Sequence, residues 1–277
     1  MTSVMKKCIS ISIFICCALA AFATGHAPQI VANYLTAQWK EYMQAINRMN
    51  PDEKDSIKAN LLTPGMYEKI GRMTGDTGAD CIIRAQDVND FGINDLKCRH
   101  LEGDWYEITY RWSEKDEPIQ IPIRATTDAE GDIKVSYIAP ECAGDKYGDK
   151  YLAVPKTKVV DNGTAKQFVE TYYAAYTYPF LSISTDCEKQ SRAVRDKYCT
   201  AQLCKRIDDW LANEAPEDIF DPFICGIDFD NICHWPVNVK EDGQNDFTVS
   251  FGNRSLKVFV AKTDGRWVIS NITTNTR

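Results

Sequence analysis

Residues 264–272 read Asp-Gly-Arg-Trp-Val-Ile-Ser-Asn-Ile, a two-residue Asp-Gly corner followed by a β-branched and aromatic run. Asp-Gly between such runs is a strong hairpin signal, because paired strands twist in the sense that positive-φ turns match. An earlier block, Gly131-Asp132-Ile133-Lys134-Val135-Ser136-Tyr137-Ile138, has the same form: a glycine corner, an alternating run and a closing isoleucine. Each block is therefore expected to be the last strand of an antiparallel sheet.

Working upstream from each block gives the same order twice. In the first half, strands are expected at Cys81–Ala85, Leu96–Leu101, Trp105–Trp112, Ile119–Thr127 and Ile133–Ala139. In the second they are expected at about Phe220–Gly226, Pro236–Lys240, Asp246–Phe251, Leu256–Lys262 and Trp267–Thr273. Helical patterns precede both sets. Ile30, Val31, Tyr34, Leu35, Tyr42, Met43, Ile46 and Met49 recur at helical spacing, and Phe168, Val169, Tyr172, Tyr173 and Tyr176 do so later. Lys54–Asn60 and Asp186–Tyr198 are expected as second helices, with third helices entered through Thr63-Pro64 and Thr200.

Matched residues argue for an internal duplication. Asn60-Leu61-Leu62-Thr63 parallels Lys197-Tyr198-Cys199-Thr200, and Asp80–Asp87 parallels Asp221–Asp228. Gly103 answers Gly243, Gly131 answers Gly265, and Ile138 answers Ile272, all in one order at similar spacing. The expected organisation is a leader at 1–23, a first domain at 28–142, a linker at 143–162 rich in Gly, Lys and Asp, and a second domain at 163–277. The fold class is α+β, with two tandem domains of three helices on an antiparallel sheet.

Three helices, a strand opening Asp221-Pro222-Phe223-Ile224 and a sheet ending Asp264–Ile272 resemble the nuclear-transport-factor-2-like (cystatin-like) superfamily. More narrowly they resemble a bacterial exported family labelled domain of unknown function 3828. In the first copy the corresponding residues are Ala79–Asp87 and Gly131–Ile138. The resemblance implies a cone in each half, a curved sheet wrapped around helices with a pocket at the wide end. It implies no activity, because that fold carries enzymes, adaptors and inert scaffolds alike.

The amino terminus reads as an export signal. Lys6 and Lys7 precede an uncharged apolar run, Cys8–Ala23, whose 16 residues fall short of the ~20 that span a bilayer. Ala21-Phe22-Ala23 offers a small–x–small cleavage site. The residues before Cys16 and Cys17 are not small, so a lipid anchor is not expected. The mature protein is expected to be exported, periplasmic or secreted, with no membrane span left. Cleavage removes two lysines and no acid, moving the formal charge from −7 to −9. That balance argues against a nucleic-acid partner.

Eight of eleven cysteines lie beyond the leader: Cys81, Cys98, Cys142, Cys187, Cys199, Cys204, Cys225 and Cys233. An even count at an oxidising destination points to disulfides, whose connectivity the spacing leaves open. Cys81 with Cys98, Cys225 with Cys233, and Cys187 with Cys199 or Cys204 are the pairings entertained. No Cys-x-x-Cys or His-x-x-x-His occurs, so no metal and no cofactor are expected. Asp76-Thr77-Gly78-Ala79-Asp80 resembles an aspartic-protease loop, but no apolar strand precedes it and the second half lacks a partner loop. A helix-to-strand loop is the expectation there.

Asp87 and Asp228 follow the same block in both copies. In an apolar cone such an aspartate could serve as a general base, and otherwise it caps a turn. Tyr34, Tyr42, Tyr110 and Trp112 in the first half, and Tyr172 and Tyr176 in the second, could line a pocket; at helical spacing they could equally be core. The leading expectation is a non-enzymatic module binding a small molecule or an envelope protein. An isomerase- or hydrolase-like enzyme using Asp87 or Asp228, and a structural or inhibitory envelope protein, are the alternatives.

Overall fold

The computed structural model describes residues 26–77, 79–140, 146–147, 152, 154–213, 221–225, 237–252 and 254–274. The expected leader, Cys142, Asp228, Cys233 and His234 lie outside them. The chain is mixed α and β. Among the described residues it has seven helices and two four-stranded antiparallel sheets.

Helix α1 (Pro28–Asn47) is followed by α2 (Pro51–Leu61), α3 (Pro64–Thr77) and a short α4 (Asp90–Asp95). Prolines 28, 51 and 64 stand at helix starts, where a missing N–H costs nothing. Asn50 caps α2 by accepting the Glu53 N–H, and Asn89 caps α4 by accepting that of Gly92. The first sheet runs in order β1 (Lys97–His100), β2 (Trp105–Tyr110), β3 (Ile119–Thr127) and β4 (Ile133–Ile138).

The second set begins with α5 (Ala165–Leu181), α6 (Cys187–Tyr198) and α7 (Ala201–Asn213). The sheet that follows is β5 (Asn238–Glu241), β6 (Asp246–Phe251), β7 (Arg254–Thr263) and β8 (Arg266–Thr274), again in sequence order. Alternate residues point inward as a one-sided sheet requires: Phe247, Val249 and Phe251 on β6, then Leu256, Val258 and Val260 on β7. The Asp264-Gly265 corner has positive φ at both residues, 51° and 78°, and joins Thr263 to Arg266, the two-residue hairpin its sequence announces.

Structural details repeat between the two sets. The Thr63 N–H donates to Val135 O at 3.0 Å, and the Thr200 N–H to Ile269 O at 2.9 Å, each tying a helix junction to the last strand. Both third strands carry an irregularity, at Arg124/Ala125 and at Phe259/Val260. Opposite these, the Ser136 hydroxyl donates to Arg124 O and the Ser270 hydroxyl to Phe259 O. The Ala125 and Val260 N–H groups reach Asp104 O and Asn245 O, both at 3.0 Å. A bulge bends a strand and sharpens its twist, so the same bend is built twice.

One expectation fails locally in both sets. Cys81–Ala85 and the described part of 220–226 are tight turns, not strands. Asp80 Oδ1 accepts the Ile82 N–H at 3.0 Å, and Asp221 Oδ1 accepts the Phe223 N–H at 2.9 Å. Four residues on, Arg84 and Cys225 both adopt positive φ, 53° and 55°. An aspartate that bonds its own backbone two residues ahead competes with strand pairing, which reverses the apolar signal of these blocks.

Contacts gather the described residues up to Thr63 with Asp87–Ile138 in one compact unit, and Pro64–Gln86 with Ala139 onward in another. This division runs across the one drawn from sequence at residues 64–86. Within the second unit the Lys69 ammonium, wholly buried, donates to Phe180 O at 2.8 Å, and the Asp186 N–H donates to Glu68. Gly65 lies so close that a Cβ there would come within 2.5 Å of Ile183 O, which explains a glycine in the first turn of α3. The end of the expected linker is also held: the Trp267 N–H and indole N–H donate to Asp161 O and Gly163 O.

Candidate functional site

The aromatic stripe of α5 faces inward. Phe168, Tyr172, Tyr173 and Tyr176 are all buried. Tyr172 and Tyr176 stack with centroids 5.7 Å apart, and Phe223 packs against Tyr176 at 5.3 Å. The turn that carries Phe223 also carries Asp221. Its Oδ2 accepts the Tyr176 hydroxyl at 2.8 Å while its Oδ1 holds the Phe223 amide. Burial raises the affinity of Asp221 for its proton; the Tyr176 and Phe223 hydrogen bonds oppose but do not cancel this. Burial likewise pushes the Tyr176 hydroxyl well up, with the Asp221 charge adding to it.

Beside this ring, the Tyr172 hydroxyl lies 3.5 Å from Cys199 Sγ. Cys199 is buried, and Cys204, in the first turn of α7, is half-exposed. Arg195, buried on the last turn of α6, bridges Asp196 and Asp208 at 2.8 Å each. Burial works against its charge, but those two carboxylates hold it protonated.

On the outer face of the second unit, α7, the 221–225 turn and β8 border an open groove of about 820 Å3. Ile207, Trp210, Pro222 and Ile272 supply apolar surface, and Lys205 and Arg206 supply charge. Lys205 is paired with Asp209 at 2.6 Å. The Arg206 guanidinium donates to Ile272 O at 3.3 Å, and among the described residues no carboxylate pairs with it. A smaller groove of about 530 Å3 in the first unit is strongly charged and internally paired, with Arg111 held by both oxygens of Asp95.

The residues singled out from sequence do not converge. Tyr42 and Tyr110 are core of the first unit, Tyr34 is half-buried on α1, and Trp112 is 41% exposed. Tyr172 and Tyr176 are together, but in the interior. Asp87 is exposed and accepts the adjacent Val88 N–H at 2.7 Å; Asp228 lies outside the described residues. Sequence reading missed Asp221, which it treated as the first letter of a structural motif. The available signal was an acid beside Pro-Phe-Ile in a chain with a tyrosine stripe.

The disulfide expectation is corrected. Cys81, Cys98, Cys187, Cys199, Cys204 and Cys225 are all free thiols, so Cys81–Cys98 and Cys187–Cys199 or Cys187–Cys204 pairs are not formed; Cys142 and Cys233 lie outside the described residues. The physical reason is that these thiols have other neighbours. Cys187 donates to Pro179 O and Ser184 O at 3.1 and 3.2 Å, Cys81 lies 3.8 Å from Ala79 O, and Cys199 faces Tyr172. Burial pushes the Cys98 and Cys225 thiols up to about 12 and about 11. Among the described residues no cluster of three or more His, Cys, Asp or Glu could hold a metal ion, and no helix is long and apolar enough to cross a membrane.

No family model matches the chain, and no curated protein matches it. Among solved structures it is similar to a crystal structure of a protein of unknown function from Bacteroides thetaiotaomicron. Identity is 25%, the match covers 49% of this chain and 99% of that one, and the TM-score is 0.38.

Proposed function

We propose that this is an exported, non-enzymatic binding module of two tandem nuclear-transport-factor-2-like domains, and that its ligand is an amphiphilic organic anion held in the α7/β8 groove. The observation that carries this reading is where free space lies. The space between helices and sheet is taken by the protein's own aromatics, Trp39, Tyr42, Tyr110 and Tyr137 in the first unit and Tyr172, Tyr173, Phe223 and Phe247 in the second. The α7/β8 groove, by contrast, is open and within the usual range for a small-molecule site, ~300–1,000 Å3. Trp210, Ile207 and Ile272 offer an apolar bed, and Arg206 is a cation with no described carboxylate to satisfy it. The export half of the proposal rests on Lys6-Lys7 and the apolar Cys8–Ala23 run. Amino-terminal sequencing of the mature protein tests it.

The enzymatic alternative has little support from carboxylate geometry. Asp87 is exposed and engaged with its own turn, and Asp221 is enclosed by Tyr176 and the Phe223 amide.

The binding test uses 1-anilinonaphthalene-8-sulfonate, an amphiphilic aromatic anion whose fluorescence rises on desolvation. One saturable site is expected, weakened at least about tenfold by Arg206→Ala and by Trp210→Ala, a loss of about 1.4 kcal/mol in each case. Absence of a saturable site, or equal binding by wild type and both folded variants, overturns the reading.

A further inference from the structure

Because Thr63 and Thr200 hold equivalent junctions, α3 and α7 can be compared position by position. Their inner faces agree: Met66 and Ile70 of α3 are buried, as are Leu203 and Ile207 of α7. Their outer faces do not. On α3, Gly65 and Lys69 are buried and Glu68 is half-buried; on α7 the same positions are Gln202, Arg206 and Lys205, all exposed.

A helix–helix corner, residues 180–186 at the end of α5 and the start of α6, covers the α3 face. The Lys69 ammonium donates to Phe180 O at 2.8 Å, Glu68 accepts the Asp186 N–H at 2.9 Å, and Gly65 lies against Ile183. The last carbonyls of a helix lack intrahelical donors and carry the negative end of its dipole, so a cation suits them. On α7 the matching face borders the open groove, with Arg206 at the Lys69 position.

The chain carries a second corner of this kind. Helix α1 ends at Asn47, Met49 has a φ of 54°, and Asn50 caps α2; in the covered corner Asp186 has a φ of 53° directly before α6. Here the tip is bare: Met49 is 90% exposed, and Asp52 is exposed in the first turn of α2.

We propose that the α7 groove of one molecule receives the α1–α2 corner of a second copy, as α3 receives the α5–α6 corner within the second unit.

The differences between the two faces match the differences between the two corners. Gln202 stands where Gly65 admits a backbone, so the approach is made by a longer side chain. Met49 supplies one, and a thioether packs well against an aromatic such as Trp210 on the apolar bed. Arg206 meets the carbonyl end of α1 as Lys69 meets that of α5. Lys205 replaces Glu68, and the incoming helix offers the Asp52 carboxylate where α6 offers an amide, so the charges are complementary. The inserting and receiving surfaces are different, so copies close into a ring or extend into a chain. The groove is the one proposed for the ligand, and a docked corner and a bound ligand exclude each other; neither reading rests on the other.

Sedimentation of the purified mature protein is expected to show a mass that rises with concentration. Met49→Asp, an acid tolerated at positive φ, and Arg206→Glu change exposed residues and are each expected to be monomeric alone. Mixed, they are expected to form a dimer and stop, because the intact corner of one variant meets the intact groove of the other. A wild type that stays monomeric up to about 1 mM overturns the proposal. So do folded variants that associate like wild type, or a mixture that stays monomeric. Binding of 1-anilinonaphthalene-8-sulfonate without any assembly overturns this inference alone, and complementing variants without dye binding overturn the ligand reading alone.

Discussion

The two halves of the molecule share backbone devices and differ in what they enclose. Each has a junction threonine bonded to the last strand, an aspartate-capped turn with positive φ four residues on, and a bulged third strand with a serine opposite. Inside, the first unit is filled by Trp39, Tyr42, Tyr110 and Tyr137. The second is filled by Tyr172, Tyr173, Phe223 and Phe247, and at its edge the part-buried Asp221 accepts the Tyr176 hydroxyl. Asp80, at the matching position, is likewise part-buried and accepts the Ile82 N–H. The difference teaches that hydrogen-bonded corners hold the plan while side chains within it are free to change chemistry.

The largest expected effect tests the aromatic filling itself. Trp39→Ala should cost the first unit about 3–5 kcal/mol, and Phe223→Ala a similar amount in the second, read from urea unfolding. A loss below about 1 kcal/mol at either site would show that its ring does not fill the core.

The next effect is a pH dependence in the second unit. Because the folded state raises the Asp221 affinity for its proton, the group's contribution is fully present below the unfolded carboxylate value of about 4. It is lost as pH rises through the higher folded value. Asp221→Asn should therefore flatten the fall of stability as pH rises through the weakly acid range. Tyr176→Phe removes the hydroxyl donor to Asp221 and should cost about 1–3 kcal/mol, more above that range than below it. Parallel pH profiles for wild type and Asp221→Asn would show that Asp221 titrates alike in the folded and unfolded chain.

A smaller and equal effect is expected where the halves agree. Gly131 and Gly265 hold φ of 94° and 78° with nothing crowding a Cβ, so alanine at either meets backbone strain alone, about 1 kcal/mol. Markedly unequal losses would break the correspondence of these corners. The smallest effect has the opposite sign. The Tyr173 hydroxyl is buried without a hydrogen-bond partner, so Tyr173→Phe should be neutral or raise the thermal midpoint slightly.

Much of this was legible from local pattern. Helix starts at Pro28, Pro51 and Pro64, the Asp264-Gly265 hairpin and the repeated order of elements all depend on residues within a few positions of one another, where φ, ψ and side-chain period act directly. The turns at 80–85 and 221–225 were misread because their apolar runs resemble strands; the deciding term was an aspartate bonding its own backbone. Candidate site residues were the least legible. Tyr42, Tyr110, Tyr172 and Tyr176 have the same composition signal whether they line a cavity or fill it.

The order of helices and strands, the duplicated corners and the acidic, cysteine-bearing character of the chain are properties of amino-acid order, because each is set by neighbouring residues or by simple counting. Long-range packing settled the rest. It turned the aromatics into core, enclosed Asp221 under Tyr176 from 45 positions away, drew residues 64–86 into the second unit and left six thiols unpaired. Burial and partnership are properties of distance in space, and two residues far apart in the chain carry no local mark of whether folding will bring them together.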